Sequence, residues 1–164
     1  MANNKTNAVR ILERAGVRFK ILTYEWDGKN APDGKSVASM MGQDPGQVFK
    51  TLVARGASGN YYVYDIPVLD TLDLKKAARA VGEKSIAMIH LKELFPLTGY
   101  VHGGCSPIGM KKQFPTVIDE TCILYDSIYI SAGKIGLQLE LNPDDLIALT
   151  DGSTADNRWL RCCF

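Results

Sequence analysis

Apolar residues recur along the start of the chain in two rhythms. Between residues 4 and 15, Ala8, Val9, Ile11, Leu12 and Ala15 fall on one face at helical spacing, and Gly16 follows as a stop. From Val17 the period drops to two. Val17, Phe19, Ile21 and Thr23 alternate with Arg18, Lys20 and Leu22, which predicts a strand with one apolar exception. The stretch "DGKNAPDGK" is dense in turn formers and reads as a loop, and "SVASMMG" then predicts a short helix capped by Ser36. "DPGQVFKTLVARGASGNYYVYDIPV" reads as two strands around a Gly-rich turn, a hairpin. "LDLKKAARAVG" predicts a helix with Asp73 as cap, Leu74, Ala77, Ala78 and Val81 as its apolar positions, and Gly82 at its end. A strand at "SIAMIH", a short helix at "LKELFP" and strands at "TVIDE", "SIYISAG" and "GLQLEL" follow. Asn142 and Pro143 make a cap and first-turn pair for "DDLIAL".

Strands and helices mix without regular alternation, and no linker or repeat divides the chain. The expectation is a single α/β domain over residues 1–164, one mixed sheet with helices packed against it. A domain of 164 residues buries about two thirds of its unfolded surface.

Composition then removes several function classes. No run approaches the roughly 18 consecutive apolar residues that would span a bilayer. The start, "MANNKTNAVRILERAG", has no signal-peptide apolar core, so a cytoplasmic protein without membrane contact is expected. Net charge is +1, from 19 basic and 18 acidic residues. Tight, autonomous nucleic-acid binders carry a clear basic excess, so any RNA should be held weakly, through a local patch or with a partner's help. Basic residues cluster at Arg10, Arg14, Arg18 and Lys20, at Lys75, Lys76 and Arg79, and at Lys111 and Lys112. The first two clusters read as solvated helix faces. The four cysteines, Cys105, Cys122, Cys162 and Cys163, form no C-x-x-C pair, and the two histidines, His90 and His102, stand well apart. No metal site and no cofactor is expected from that spacing.

Two places hold chemistry. Lys50 lies among the apolar residues Val48, Phe49, Leu52 and Val53. A strand lysine ordinarily points to water; buried, its charge would stabilise a developing oxyanion. Thr51 points to the other face of a regular strand, and would need a bulge or twist to share a pocket with Lys50. The second place is "GYVHGGCSPIGMKK", residues 99 to 112. Gly103 and Gly104 permit backbone geometries closed to other residues and let a substrate approach main-chain N–H groups. Cys105 has no visible Asp or Asn to orient His102 as its base, so a small buried thiol is its expected role. "SAGKIG", with Ser131, Gly133 and Gly136 around Lys134, lacks the spacing of a phosphate loop and reads as a second pocket wall.

"VFKTL", "GYVHGGCSPIGMKK", "PTVIDE", "IYISAGKIGLQLELNPDDL" and the early "TYE" occur together and in order over nearly the full length. This set closely resembles the YbaK/EbsC family of aminoacyl-tRNA deacylases, relatives of the editing domain inserted in bacterial prolyl-tRNA synthetases. The resemblance implies a curved, partly closed, barrel-like mixed sheet flanked by helices. It implies an enzyme that clears cysteine from tRNA(Pro), with aminoacyl-tRNA as substrate and prolyl-tRNA synthetase as partner; the sequence leaves the oligomeric state open, with a monomer favoured. Lys50 matches the family's essential lysine. Tyr24, Thr51, Gly103, Ser131 and Gln138 fall at substrate-binding positions. The attacking group it implies is the substrate's own thiol. Two residues depart from the pattern: Gln138 replaces an aspartate, keeping hydrogen bonding but losing the charge, and Asp33 replaces an aromatic before Gly34. A non-catalytic module that holds an amino acid, an acylated RNA end or a synthetase is the other reading. Lys50 favours the enzyme, and Gln138 leaves room for the alternative.

Overall fold

The computed structural model describes residues 5–159, so Cys162 and Cys163 lie outside the described residues. The chain runs α1 (Asn7–Ala15), β1 (Phe19–Thr23), α2 (Gly34–Met40), β2 (Phe49–Gly56), β3 (Tyr61–Pro67), α3 (Leu74–Val81) and β4 (Ile86–Met88). It continues through α4 (Leu91–Thr98), β5 (Thr116–Asp119), β6 (Ile128–Ser131), β7 (Leu137–Leu141), α5 (Pro143–Thr150) and β8 (Ser153–Ala155). A 3-10 turn, Glu120–Leu124, follows β5.

Local chemistry explains most of the boundaries. Thr6 accepts a hydrogen bond from the Val9 N–H and caps α1, which buries Ala8, Val9 and Leu12 and stops at Gly16 in the left-handed conformation. Asp73 and Gly82 play the same two parts for α3, although Leu74 stays exposed. Asn142 caps α5 ahead of Pro143. One cap differs from expectation. Asp33, not Ser36, caps α2: its carboxylate accepts from the Ser36 N–H at 2.7 Å. Ser36 supplies the orphan amide, and a carboxylate meets that amide best at a helix N-terminus. The sequence pattern also misses β8, whose three residues are too few to show a period and which is a strand only because it pairs with β5.

The strands form two ladders. One has the order β1-β7-β6, antiparallel throughout; the other has the order β4-β2-β3-β5-β8, with β3–β5 and β5–β8 parallel. The single mixed sheet of the sequence reading is thus parted, and an isolated parallel bridge between Val48 and Tyr129 ties the halves together. The result is a partly closed arrangement flanked by helices.

Three apolar clusters hold it. α1 and α5 pack on β6 and β7 through Leu12, Leu146, Ile128, Ile130 and Leu139. α3 covers one face of the larger sheet through Ala77, Ala78, Tyr64 and Ile66. The opposite face, at Val53 and Val63, is covered by the long loop after α4 through Tyr100, Cys105, Met110 and Phe114. Burying each large apolar side chain contributes about 1.5–3 kcal/mol.

Candidate functional site

The parting of the sheet creates the site. Along β2 the main-chain groups alternate between its two edges. Gly56 N–H donates to Asn60 O on the β3 side, so the even-numbered residues face β3. The odd-numbered residues face the other edge, where Val53 O accepts from Ile89 N–H and Gln47 O accepts from Tyr129 N–H. β4 pairs only with Ala54–Gly56, and the link to β6 lies at residues 47 and 48. Between those two attachments the edge of β2 is uncovered by any strand among the described residues. A cavity of about 710 Å³ opens there.

This geometry answers how Lys50 and Thr51 share a pocket. Neighbours on a strand point to opposite faces, but a cavity that addresses the strand's edge receives both. No bulge is needed. Lys50, Thr51, Tyr24, Gly103, Ser131 and Gln138 all line the cavity. The Lys50 ammonium is half-buried, and desolvation lowers its pKa while the Asp70 carboxylate pulls the other way. No salt bridge holds it among the described residues. Tyr24 follows β1 and is fixed by its N–H donating to Gly136 O at 2.9 Å. Ser131 ends β6 directly opposite Gln138 on β7, and its hydroxyl accepts from the Gly133 N–H at 3.1 Å.

Gln138 is 3% exposed, and its amide is engaged by Gln43. The two side chains exchange hydrogen bonds, Gln43 Nε2 to Gln138 Oε1 at 2.7 Å and Gln138 Nε2 to Gln43 Oε1 at 3.0 Å. The cavity wall at this point is polar, neutral and internally satisfied. Asp33 also reaches the cavity, with a pKa lowered chiefly by its bond from the Ser36 N–H.

The glycine-rich loops meet. Gly103 has φ +86°, and a Cβ there would lie 2.8 Å from the Ala31 Cβ. At Gly104 a Cβ would come within 3.0 Å of the Ile135 main-chain nitrogen, so the missing side chain lets this loop seat against residues 134 and 135. Of the second loop, Ser131 lines the cavity; Gly133 instead makes room for the Tyr100 ring. Cys105 lines the cavity but is buried, and desolvation with the nearby Asp65 charge pushes its thiol up to about 12. It is a neutral thiol at physiological pH. Among the described residues no group of three or more His, Cys, Asp or Glu could hold a metal ion, and no helix is long and apolar enough to cross a membrane.

One charged group escaped the sequence reading. Asp65, on β3, is fully buried. Its Oδ1 accepts from the Thr51 hydroxyl at 2.6 Å, and its Oδ2 has no hydrogen-bond partner among the described residues. The available signal was a lone carboxylate inside the apolar run "YYVYDIPV".

Residues 29–149 match the family model described as the aminoacyl-tRNA editing domain. A protein of Enterococcus faecalis, named as a candidate Cys-tRNA(Pro)/Cys-tRNA(Cys) deacylase EbsC, is 46% identical over 152 residues, covering 93% of this chain and 92% of its own. A crystal structure described as a candidate trans-editing enzyme for prolyl-tRNA synthetase aligns with TM-score 0.84 and 27% identity, over 98% of this chain and 99% of that one. A hypothetical protein, 21% identical with TM-score 0.84 over 94% of this chain and all of its own, shares the fold.

Proposed function

The chain belongs to the aminoacyl-tRNA editing domain family, and from that premise we propose that it hydrolyses the ester of a mischarged tRNA, with cysteinyl-tRNA(Pro) as its preferred substrate. One observation carries the reading: a half-buried lysine ammonium without a salt bridge among the described residues lines a cavity of about 710 Å³ in a chain of this family. That volume suits a small ligand, since such sites span about 300–1,000 Å³. It accommodates an aminoacylated terminal ribose, while the body of the RNA stays outside.

The need for such an enzyme is energetic. A synthetase pocket built for proline cannot strongly exclude cysteine, because a few atoms change binding by only about 1–3 kcal/mol. A second site must remove the wrong ester. Here Lys50 holds the ester end, and its charge, strengthened by desolvation, stabilises the carbonyl oxygen as negative charge develops. Tyr24, Thr51, Gly103, Ser131 and Gln138 position the aminoacyl group. The neutral Gln43–Gln138 pair gives that group an uncharged wall.

In this reading Cys105 serves packing and is not the nucleophile: it is buried, desolvation pushes its thiol up, and no oriented base is evident beside it. The substrate's own sulfur attacks its carbonyl carbon. The carbon–oxygen bond to the ribose breaks, the ribose hydroxyl takes up the proton lost by the thiol, and water opens the resulting thiolactone to free cysteine. No metal or cofactor enters these steps.

With a net charge of +1 the protein holds tRNA weakly in the cytoplasm, and prolyl-tRNA synthetase, already gripping the tRNA, supplies the rest of the recognition. The test is deacylation of cysteinyl-, alanyl- and prolyl-tRNA(Pro) side by side. Cysteinyl-tRNA should be cleared fastest and prolyl-tRNA spared. Binding of all three without turnover would replace the enzyme by a holding module. Equal rates on cysteinyl and seryl esters of one tRNA would remove the thiol mechanism.

A further inference from the structure

Thr51 and Asp65 stand directly opposite one another on β2 and β3. Both turn their main-chain groups away from this shared rung: Thr51 toward the open edge and Asp65 toward β5. Val63, two residues earlier on β3, likewise donates to Pro115 O on the β5 side. Such non-hydrogen-bonded pairs bring Cα atoms to about 4.5 Å and their side chains close together. The register therefore builds the 2.6 Å bond from the Thr51 hydroxyl to Asp65 Oδ1. Thr51 lines the cavity and Asp65 does not. A fully buried carboxyl group with one oxygen unpartnered among the described residues thus touches the site through a single hydroxyl.

A threonine hydroxyl has one proton to give and lone pairs to receive. Resting on the deacylase reading above, we propose that Asp65 is a positioning residue that sets which of these the Thr51 hydroxyl offers to the substrate. As a carboxylate, Asp65 takes the Thr51 proton, and the hydroxyl oxygen faces the cavity as an acceptor suited to the α-ammonium group of an aminoacyl ester. As a carboxylic acid, Asp65 donates to that oxygen, and the hydroxyl turns its proton to the cavity. The floor of the site then repels an ammonium group.

The surroundings let this exchange occur near neutral pH. Burial raises the Asp65 pKa to about 7, against the lowering effect of the Thr51 bond. The titratable groups around it do not offset its charge. The thiols of Cys105, in the loop after α4, and Cys122, after β5, are both pushed up, in part by Asp65. Asp119 on β5 is turned to Thr121, the Asn157 N–H and Arg158. Lys50 on β2 responds to Asp70, and Arg55 is held by Tyr61 and Glu93.

Two measurements test the proposal. The first needs no substrate: the Asp65 carboxyl is followed by ¹³C NMR in wild type, Thr51→Ser and Thr51→Val, with Asp65→Asn identifying the signal. It should titrate near pH 7 in wild type and Thr51→Ser, and higher in Thr51→Val, which lacks the hydrogen bond to the carboxylate. A carboxyl titrating below pH 5, or one indifferent to Thr51→Val, overturns the coupling. The second is the ratio of wild-type to Asp65→Asn kcat/KM on cysteinyl-tRNA(Pro) between pH 5.5 and 8, in which substrate ionisations cancel. Asparagine mimics the acid, since its amide can donate to Thr51. The ratio should be near one at the acid end and rise to about five- to tenfold at the alkaline end, the worth of one hydrogen bond, chiefly through KM. Thr51→Val should abolish the rise and Thr51→Ser should keep it. A flat ratio with normal wild-type turnover overturns the proposal, because a purely structural Asp65 would alter stability without bending this profile. No wild-type turnover on any ester would instead take down the deacylase reading, and the carboxyl titration alone would then decide the Asp65–Thr51 coupling.

Discussion

Lys50, Cys105 and Asp65 show one force acting on three side chains. Burial favours the uncharged form of each, lowering the lysine and raising the thiol and the carboxyl. Lys50 brings to the cavity wall an ammonium with no salt bridge among the described residues, and Lys50→Ala should cut kcat by about 10²–10³. Its melting temperature should barely move, because the ammonium has no salt bridge to lose among the described residues. Cys105→Ala, in contrast, should leave turnover nearly intact; comparable losses in both variants would make Cys105 a nucleophile. Asp65 carries a stability cost whose sign follows from linkage. Its pKa rises from an ordinary 3.8 to about 7 on folding, so the folded state binds the extra proton. The cost is absent below pH 3.8, where both states are protonated, grows as pH rises from there, and is complete above about 7. Asp65→Asn should therefore gain on wild type in thermal denaturation between pH 4 and pH 8. A difference independent of pH would show that folding leaves the Asp65 pKa at its ordinary value, against the shift that burial implies.

At the scale of elements, α2 and β2 couple stability to the site. The carboxylate that caps α2 also lines the cavity. Asp33→Ala should cost about 1 kcal/mol by chemical denaturation, the usual worth of a cap, while Asp33→Asn should cost little. Equal losses would mean that charge rather than the capping bond matters. For β2 the decisive property is which part of its edge is covered. Its pattern was legible as a strand from "QVFKTLVA". That β4 stops at Ala54 was not, because pairing length depends on where a distant segment ends. The same holds for the glycines of residues 103 and 104. Their flexibility was visible in the sequence; the partner that needs it, at Ala31 and Ile135, was not.

For the whole molecule, the parting of two ladders at the Val48–Tyr129 bridge matters most. A fully closed barrel would fill its interior with side chains. The divergence instead leaves room for a ligand between β2 and β6, and brings "VFKTL" against "SAG". Charge belongs to this scale too. With 19 basic and 18 acidic residues, uncharged tRNA(Pro) should bind the isolated protein weakly and with a modest salt slope. Filter binding between 50 and 200 mM salt checks this, and a fall of more than about 10³ would reveal a dense phosphate-binding face. Adding prolyl-tRNA synthetase should raise the apparent affinity for charged tRNA.

What the sequence determined by itself were properties written in neighbouring residues. Helical and strand periods, the Asp73 and Asn142 caps, the hairpin and the glycine-rich turns all depend on chemistry within a few positions, and they stood in the structure where the pattern put them. The resemblance of five separated strings also brought the family and the six candidate residues into view. Tertiary structure decided what depends on register and closure. It paired β8 with β5, engaged Gln138 with Gln43, and opened the edge of β2 so that Lys50 and Thr51 face one cavity. Above all it buried Asp65 beside Thr51, with one carboxyl oxygen unpartnered among the described residues. Burial is a sum over many distant segments, and no local pattern contains that sum.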